Sequence, residues 1–143
     1  MISPIRCCEW VFTRAASSPW DVPPGTVWHS EQGAMAMNIA PLRWLVLGDP
    51  TVWRDSALSA GAVEFDTSGR WHVQELARDS TALRAAVDVD RALERRACLA
   101  TTVFDTPVIL AVHDSPGRVL LCIPASYSAS FLEYVSAIEI SSA

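Results

Sequence analysis

The chain has 143 residues, half of them apolar and only 19% charged, and a formal net charge of −5. That is the length of one domain with ample apolar material, which excludes a disordered tail. All eleven basic residues are arginines scattered from Arg6 to Arg118; without a basic stripe, neither nucleic acid nor an anionic membrane is an expected partner.

Ile5 to Thr13 reads as one short strand. The stretch from Ser17 to Gly33 holds Pro19, Pro23, Pro24, Gly25 and Gly33 without a sustained period, which predicts an extended or turning arm. Residues 1–33 are therefore assigned to an N-terminal arm and residues 34–143 to the folded domain. Six tryptophans are a heavy load, and Trp10, Trp20, Trp28 and Trp44 all fall in the first 44 residues. Such rings either fill a small core or mark a subunit interface. We assign Trp10, Trp20 and Trp28 to an interface carried by the arm. On that assignment, deleting residues 1–33 releases the partners and leaves the remaining core folded.

Ala34 to Ile39 and Leu42 to Leu47 are strand-like runs separated by a turn at Ala40-Pro41. Pro50 opens a helix that carries Val52, Trp53, Ala57 and Ala60 on one side. Ala62 to Phe65 and Trp71 to Leu76 read as two strands of a hairpin across Asp66-Thr67-Ser68-Gly69. Asp79 is the expected N-cap of a helix striped by Ala82, Leu83, Ala86 and Val87, ending near Asp88. Ala97 to Phe104 and Val108 to His113 flank Asp105-Thr106-Pro107 as a second hairpin, and Arg118 to Ile123 adds a strand after Ser115-Pro116-Gly117. Ser126 is the expected cap of a last helix, with Tyr127, Phe131, Tyr134, Val135 and Ile138 as its apolar stripe. The expected class is α+β: two successive blocks, each a strand pair leading into a helix, with mainly antiparallel sheet.

The residues that could carry chemistry are dispersed. Cys7, Cys8, Cys98, Cys122, His29, His72 and His113 lack the two-to-four-residue pair spacing of zinc sites, so no metal is expected. Cys98 and Cys122 lie in apolar strands and read as core. No G-x-S-x-G nucleophile motif and no glycine-rich phosphate loop occurs. Phe65-Asp66-Thr67-Ser68-Gly69 places its glycine one position away from the Asp-Thr/Ser-Gly loop of aspartic proteases and reads as a turn. The pairs Asp88/Asp90 and Glu64/Asp66 read as solvated caps. No catalytic, cofactor-binding or metal residue is assigned. A good core without a catalytic set points to a partner-dependent subunit. No apolar run approaches the roughly 20 residues of a membrane-spanning helix. Met1 to Trp10 lacks the layout of a secretory signal, so a soluble, cytoplasmic protein is expected.

Arg96 to Phe104, then Thr106 to Leu110, Val119 to Pro124 and Ala125 to Leu132, resemble the C-terminal half of the sarcosine oxidase gamma subunit family. In that family an R-C-x-x-T strand precedes a V-P-V hairpin, a strand ending in V-P, and an R-S-[FY]-A-x-S helix start. Pro41 to Gly48 is similar to the family's P-D-x-W-L-L-L-G stretch. The resemblance covers roughly Ala36 to Ile138, and its motifs are structural. It implies a fold like the folate-binding domain of the glycine-cleavage aminomethyltransferase. It also implies a small, non-catalytic gamma chain in a heteromeric flavoenzyme that oxidatively demethylates a secondary N-methyl amino acid such as sarcosine. FAD, covalent FMN and NAD are then expected on larger alpha and beta subunits, and zinc on a small delta subunit.

This chain departs from that pattern in being shorter and in its first 33 residues. It also has Ala77-Arg78-Asp79-Ser80-Thr81 where the family has an S-G-P-D-A-like turn. These departures leave a related N-methyl or cyclic amine open as substrate. A free-standing folate-binding protein of the same fold and a small protein-interaction module are the alternative readings.

Overall fold

The computed structural model describes residues 6–142. The first five residues of the expected arm, including the start of its strand at Ile5, lie outside the described residues. The chain forms two compact units that divide between Gly69 and Arg70. This boundary replaces the expected one after residue 33, because the arm is woven into the first sheet.

The N-terminal unit contains β1 (Cys7–Phe12), β2 (Val27–His29), β3 (Met35–Ala40), β4 (Arg43–Leu47), α1 (Thr51–Ser59) and β5 (Ala62–Asp66). The strands pair antiparallel in the order β2-β3-β4-β1-β5. β1 is thus an interior strand, with Trp10 opposite Trp44 on one side and Glu64 on the other. Alternation along the strands sends Cys8, Trp10, Phe12, Ala36, Trp44 and Val46 to one face, where Ala57 of α1 and Trp20 of the arm pack on them. The opposite face, with Met35, Met37, Leu45 and Leu47, is buried as well. Burial on both faces explains why these strands read as nearly continuous apolar runs.

The arm is tied to β3 by its backbone. The Asn38 N–H donates to the Thr26 carbonyl at 2.9 Å, and the Gly25 N–H donates to the Asn38 carbonyl at 2.8 Å. Asn38 Nδ2 adds a bond to the Val22 carbonyl at 2.9 Å. These bonds position the short strand β2, which the proline-rich sequence concealed.

The C-terminal unit contains β6 (Trp71–Ala77), α2 (Thr81–Ala86), α3 (Val89–Ala92), β7 (Cys98–Val103), β8 (Thr106–Val112), β9 (Arg118–Pro124) and α4 (Ala125–Ser142). Its strands pair antiparallel in the order β6-β9-β8-β7. Val108, Leu110, Val119, Leu121 and Ile123 share a core with Leu83 of α2, Val89 of α3 and Phe131 of α4. Helices therefore cover one face of this sheet.

Three local expectations are corrected here. β5 and β6 belong to different sheets, so Asp66 to Gly69 joins the two units and closes no hairpin. The N-cap of α2 is Ser80, not Asp79: its hydroxyl accepts from the Leu83 N–H, three residues on. The β7–β8 turn is the two-residue loop Phe104-Asp105, with φ of 49° and 59°, and Thr106 already pairs with Val103. Pro107 therefore lies in β8, opposite Thr102. β9 pairs with β8 only from Ile109 onward, so the missing proline N–H interrupts no ladder there.

The fold is α+β, with two antiparallel sheets and four helices among the described residues. Among the described residues, no helix is long and apolar enough to cross a membrane.

Candidate functional site

The structure brings the three assigned tryptophans together, but as a core. Trp10 is 0% and Trp20 2% exposed, and Trp28 is half-buried. Trp20 is the hub: its ring lies edge-on to Trp10 at 5.4 Å and to Trp44 at 5.0 Å, and tilted against Trp28 at 4.9 Å. Edge-to-face packing at these separations is the favoured aromatic geometry. Trp20 Nε1 donates to Ser56 Oγ on α1 at 3.0 Å, which fixes the arm to the helix. The indole rings of Trp10 and Trp20 are thus enclosed by their own unit. Composition cannot separate such a core from an interface; only the register of β1 against β4 does.

Several titratable side chains are engaged in structural bonds. Glu64 Oε1 accepts from Arg54 Nε and from Trp10 Nε1, each at 2.9 Å, and these donors hold its carboxyl below the usual range. Glu9, nearly buried on β1, accepts from Arg43 Nε at 2.8 Å. His113 Nδ1 accepts from the Ser115 N–H at 2.9 Å, and Nε2 faces Glu75. Burial, reinforced by nearby carboxylates, pushes the Cys7 thiol up to about 11 and the Cys8 thiol up to about 12. Thiols so raised are poor nucleophiles. Among the described residues, no group of three or more His, Cys, Asp or Glu is placed to hold a metal ion.

Open cavities among the described residues include two of moderate size. One, of about 310 Å³, is lined by Arg78, Arg84, Val87, Asp88, Val89 and Asp90, and within it Arg78 pairs with Asp90 at 3.0 Å. The other, of about 280 Å³, lies beside Asp49 and Thr51 at the start of α1. The Asp49 carboxylate there is occupied by the Thr51 hydroxyl and N–H.

A distinct surface emerges on the C-terminal unit. α4 buries Phe131 and half-buries Leu132, Val135 and Ile138, yet Tyr127 is 50% and Tyr134 59% exposed. The two tyrosines, expected within the buried stripe, stand seven residues apart at its edge. Phe104, from the β7–β8 turn, stacks on Tyr134 at 5.9 Å with an 18° interplanar angle and contacts Phe131 at 6.1 Å. Phe104 and Tyr134 thus form an aromatic pair, and the exposed Tyr127, about two turns earlier on α4, extends it into a ledge. Sequence reasoning placed two of them in a core stripe and did not single out Phe104. The bulky residue at the first position of a two-residue hairpin loop was the available signal.

No family pattern matches the chain, and no characterised protein matches it by sequence. Its fold is similar to that of a chain in the solved structure of heterotetrameric sarcosine oxidase from Corynebacterium sp. U-96 in complex with pyrrole 2-carboxylate. The TM-score is 0.73 at 15% identity, covering 98% of this chain and 82% of that one. At that identity the likeness is one of fold.

Proposed function

We propose that this chain is the small structural subunit of a heteromeric, flavin-dependent enzyme of the sarcosine oxidase type. The observation that carries the reading is the nearly end-to-end overlay on a chain from a heterotetrameric sarcosine oxidase. Coverage is high in both directions, so the two chains are of comparable size. The motifs from Arg96 to Leu132 support the same assignment. The bonding of Glu9, Glu64 and His113 into the framework supports a chain that contributes architecture and leaves the chemistry to its partners.

In this reading, larger alpha- and beta-like subunits carry FAD, FMN and NAD, and a delta-like subunit carries zinc. The substrate class is a secondary N-methyl amino acid, with sarcosine the leading member. The chain supplies no reacting group of its own.

Disrupting the gene in the native host tests this. Growth on, or oxidation of, an N-methyl amino acid should be lost and should return when the intact chain is restored. Unchanged oxidation without the chain, or turnover by the purified chain alone, contradicts the reading.

A further inference from the structure

Resting on that subunit reading, we infer that the ledge of Phe104, Tyr127 and Tyr134 docks a larger protein subunit, whose matching surface is an apolar hollow edged by arginine or lysine. Three observations lead there.

The first is the outer face of α4. A helix whose outer side meets water normally carries charges there. The 18-residue α4 has only Glu133 and Glu139, and Glu139 is engaged with Ser80 and the Ala82 N–H. What remains beside the two tyrosines is largely serine and alanine. Exposed aromatic rings on such a face are the composition of a protein interface, not of a solvated one.

The second is the turn. Both of its residues have positive φ, at 49° for Phe104 and 59° for Asp105. Asn-Gly meets that backbone without strain, whereas a phenylalanine does not. The strained position sets the Phe104 ring against Tyr134 and extends the ledge beyond the helix.

The third is charge. Apart from Glu139, which is engaged with Ser80, the elements that build the ledge (β7, its turn, β8 and α4) carry Asp105 and Glu133 and no Arg or Lys. A partner with cationic edges complements them, while a second copy of this chain would set carboxylate against carboxylate.

The test is hydroxyl-radical footprinting of the complex purified from the native host, compared with the chain expressed alone. Oxidation of Tyr127 and Tyr134 should fall at least fivefold in a complex that contains larger flavin-bearing chains. Equal oxidation in both samples overturns the docking surface while leaving the subunit reading intact. A chain recovered without partners removes the reading and the inference together. Protection in a homo-oligomer overturns the inference in favour of a second copy.

A double variant, Tyr127→Ser with Tyr134→Ser, alters exposed rings. With a circular dichroism spectrum like that of the unmodified chain, it should lose partner retention at least tenfold, and full retention overturns the proposal. Should this variant fail to fold, footprinting of the unmodified chain still decides.

Discussion

Trp10 Nε1 donates to Glu64 Oε1 at 2.9 Å across the β1–β5 pair, where the two residues stand directly opposite each other. The bond satisfies the polar edge of a fully buried indole and ties the sheet's last strand to its interior. Removing the acceptor leaves that N–H buried and unpaired, so Glu64→Ala should cost about 1–3 kcal/mol. Glu64→Gln keeps an acceptor and should cost less. Arg54 and Trp10 hold the Glu64 carboxyl below its ordinary 4.5 in the folded chain. Its contribution is therefore complete above pH 4.5 and is lost as pH falls through the lowered folded value. Urea denaturation at neutral and acid pH measures both effects.

Glu139 closes a second contact, from α4 back to the start of α2. Its Oε1 accepts from Ser80 Oγ at 2.5 Å and from the Ala82 N–H at 3.3 Å. Ser80→Ala removes the α2 cap as well and should cost about 1 kcal/mol. The Ser80 hydroxyl, with the Ala82 N–H, lowers the Glu139 pKa. The stability difference between the unmodified chain and Glu139→Gln should be constant above the ordinary value of 4.5 and should vanish as the carboxyl protonates below it. Thermal unfolding across that pH range reads it.

The tryptophan cluster predicts the fate of truncation. Deleting residues 1–33 removes β1 from the interior of its sheet and Trp20 from the centre of the aromatic core. The N-terminal unit should then fail to fold, contrary to the expectation from sequence, and the emission of Trp44 and Trp53, the tryptophans left in it, should move to that of solvated indole. Trp20→Ala alone should cost about 3–5 kcal/mol. A truncated chain with unshifted, buried-type emission would show that the cluster is dispensable.

Cys7 and Cys8 should be inert in the native chain. Their thiols are buried and raised to about 11 and about 12, so a disulfide reagent at mildly alkaline pH should react with them only after denaturation. Rapid reaction of either thiol in the folded chain contradicts the packing of β1.

Asp105→Gly should relieve the backbone at φ 59° and stabilise the chain by about 1 kcal/mol. It also deletes one carboxylate of the ledge, so partner retention should weaken even as the isolated chain unfolds at higher temperature. A gain or loss in both together would separate this turn from docking.

Most strands were legible in the sequence because runs such as Arg118 to Ile123 are bounded by turn residues and buried on pairing. β2 was not, since three residues among prolines carry no period and are placed by bonds to Asn38. α3 was missed for a similar reason: four residues capped by Asp88 are too short for a stripe. Asp66 to Gly69 has the chemistry of a tight turn, yet whether the next strand folds back depends on its partner, and β6 finds β9. The tryptophans show the same limit at the site. Their number announces an aromatic mass, but only cross-strand register turns Trp10 inward, while a 3.6-residue helix carries Tyr127 and Tyr134 to the edge of the stripe.

We propose that this chain works as one part of a flavoprotein assembly. The most direct measurement is a tagged pull-down from the native host, read by native mass and visible absorbance. A yellow complex containing two or more chains larger than this one is the expected result. A colourless chain, alone or associated only with itself, would contradict it and leave the likeness as one of fold.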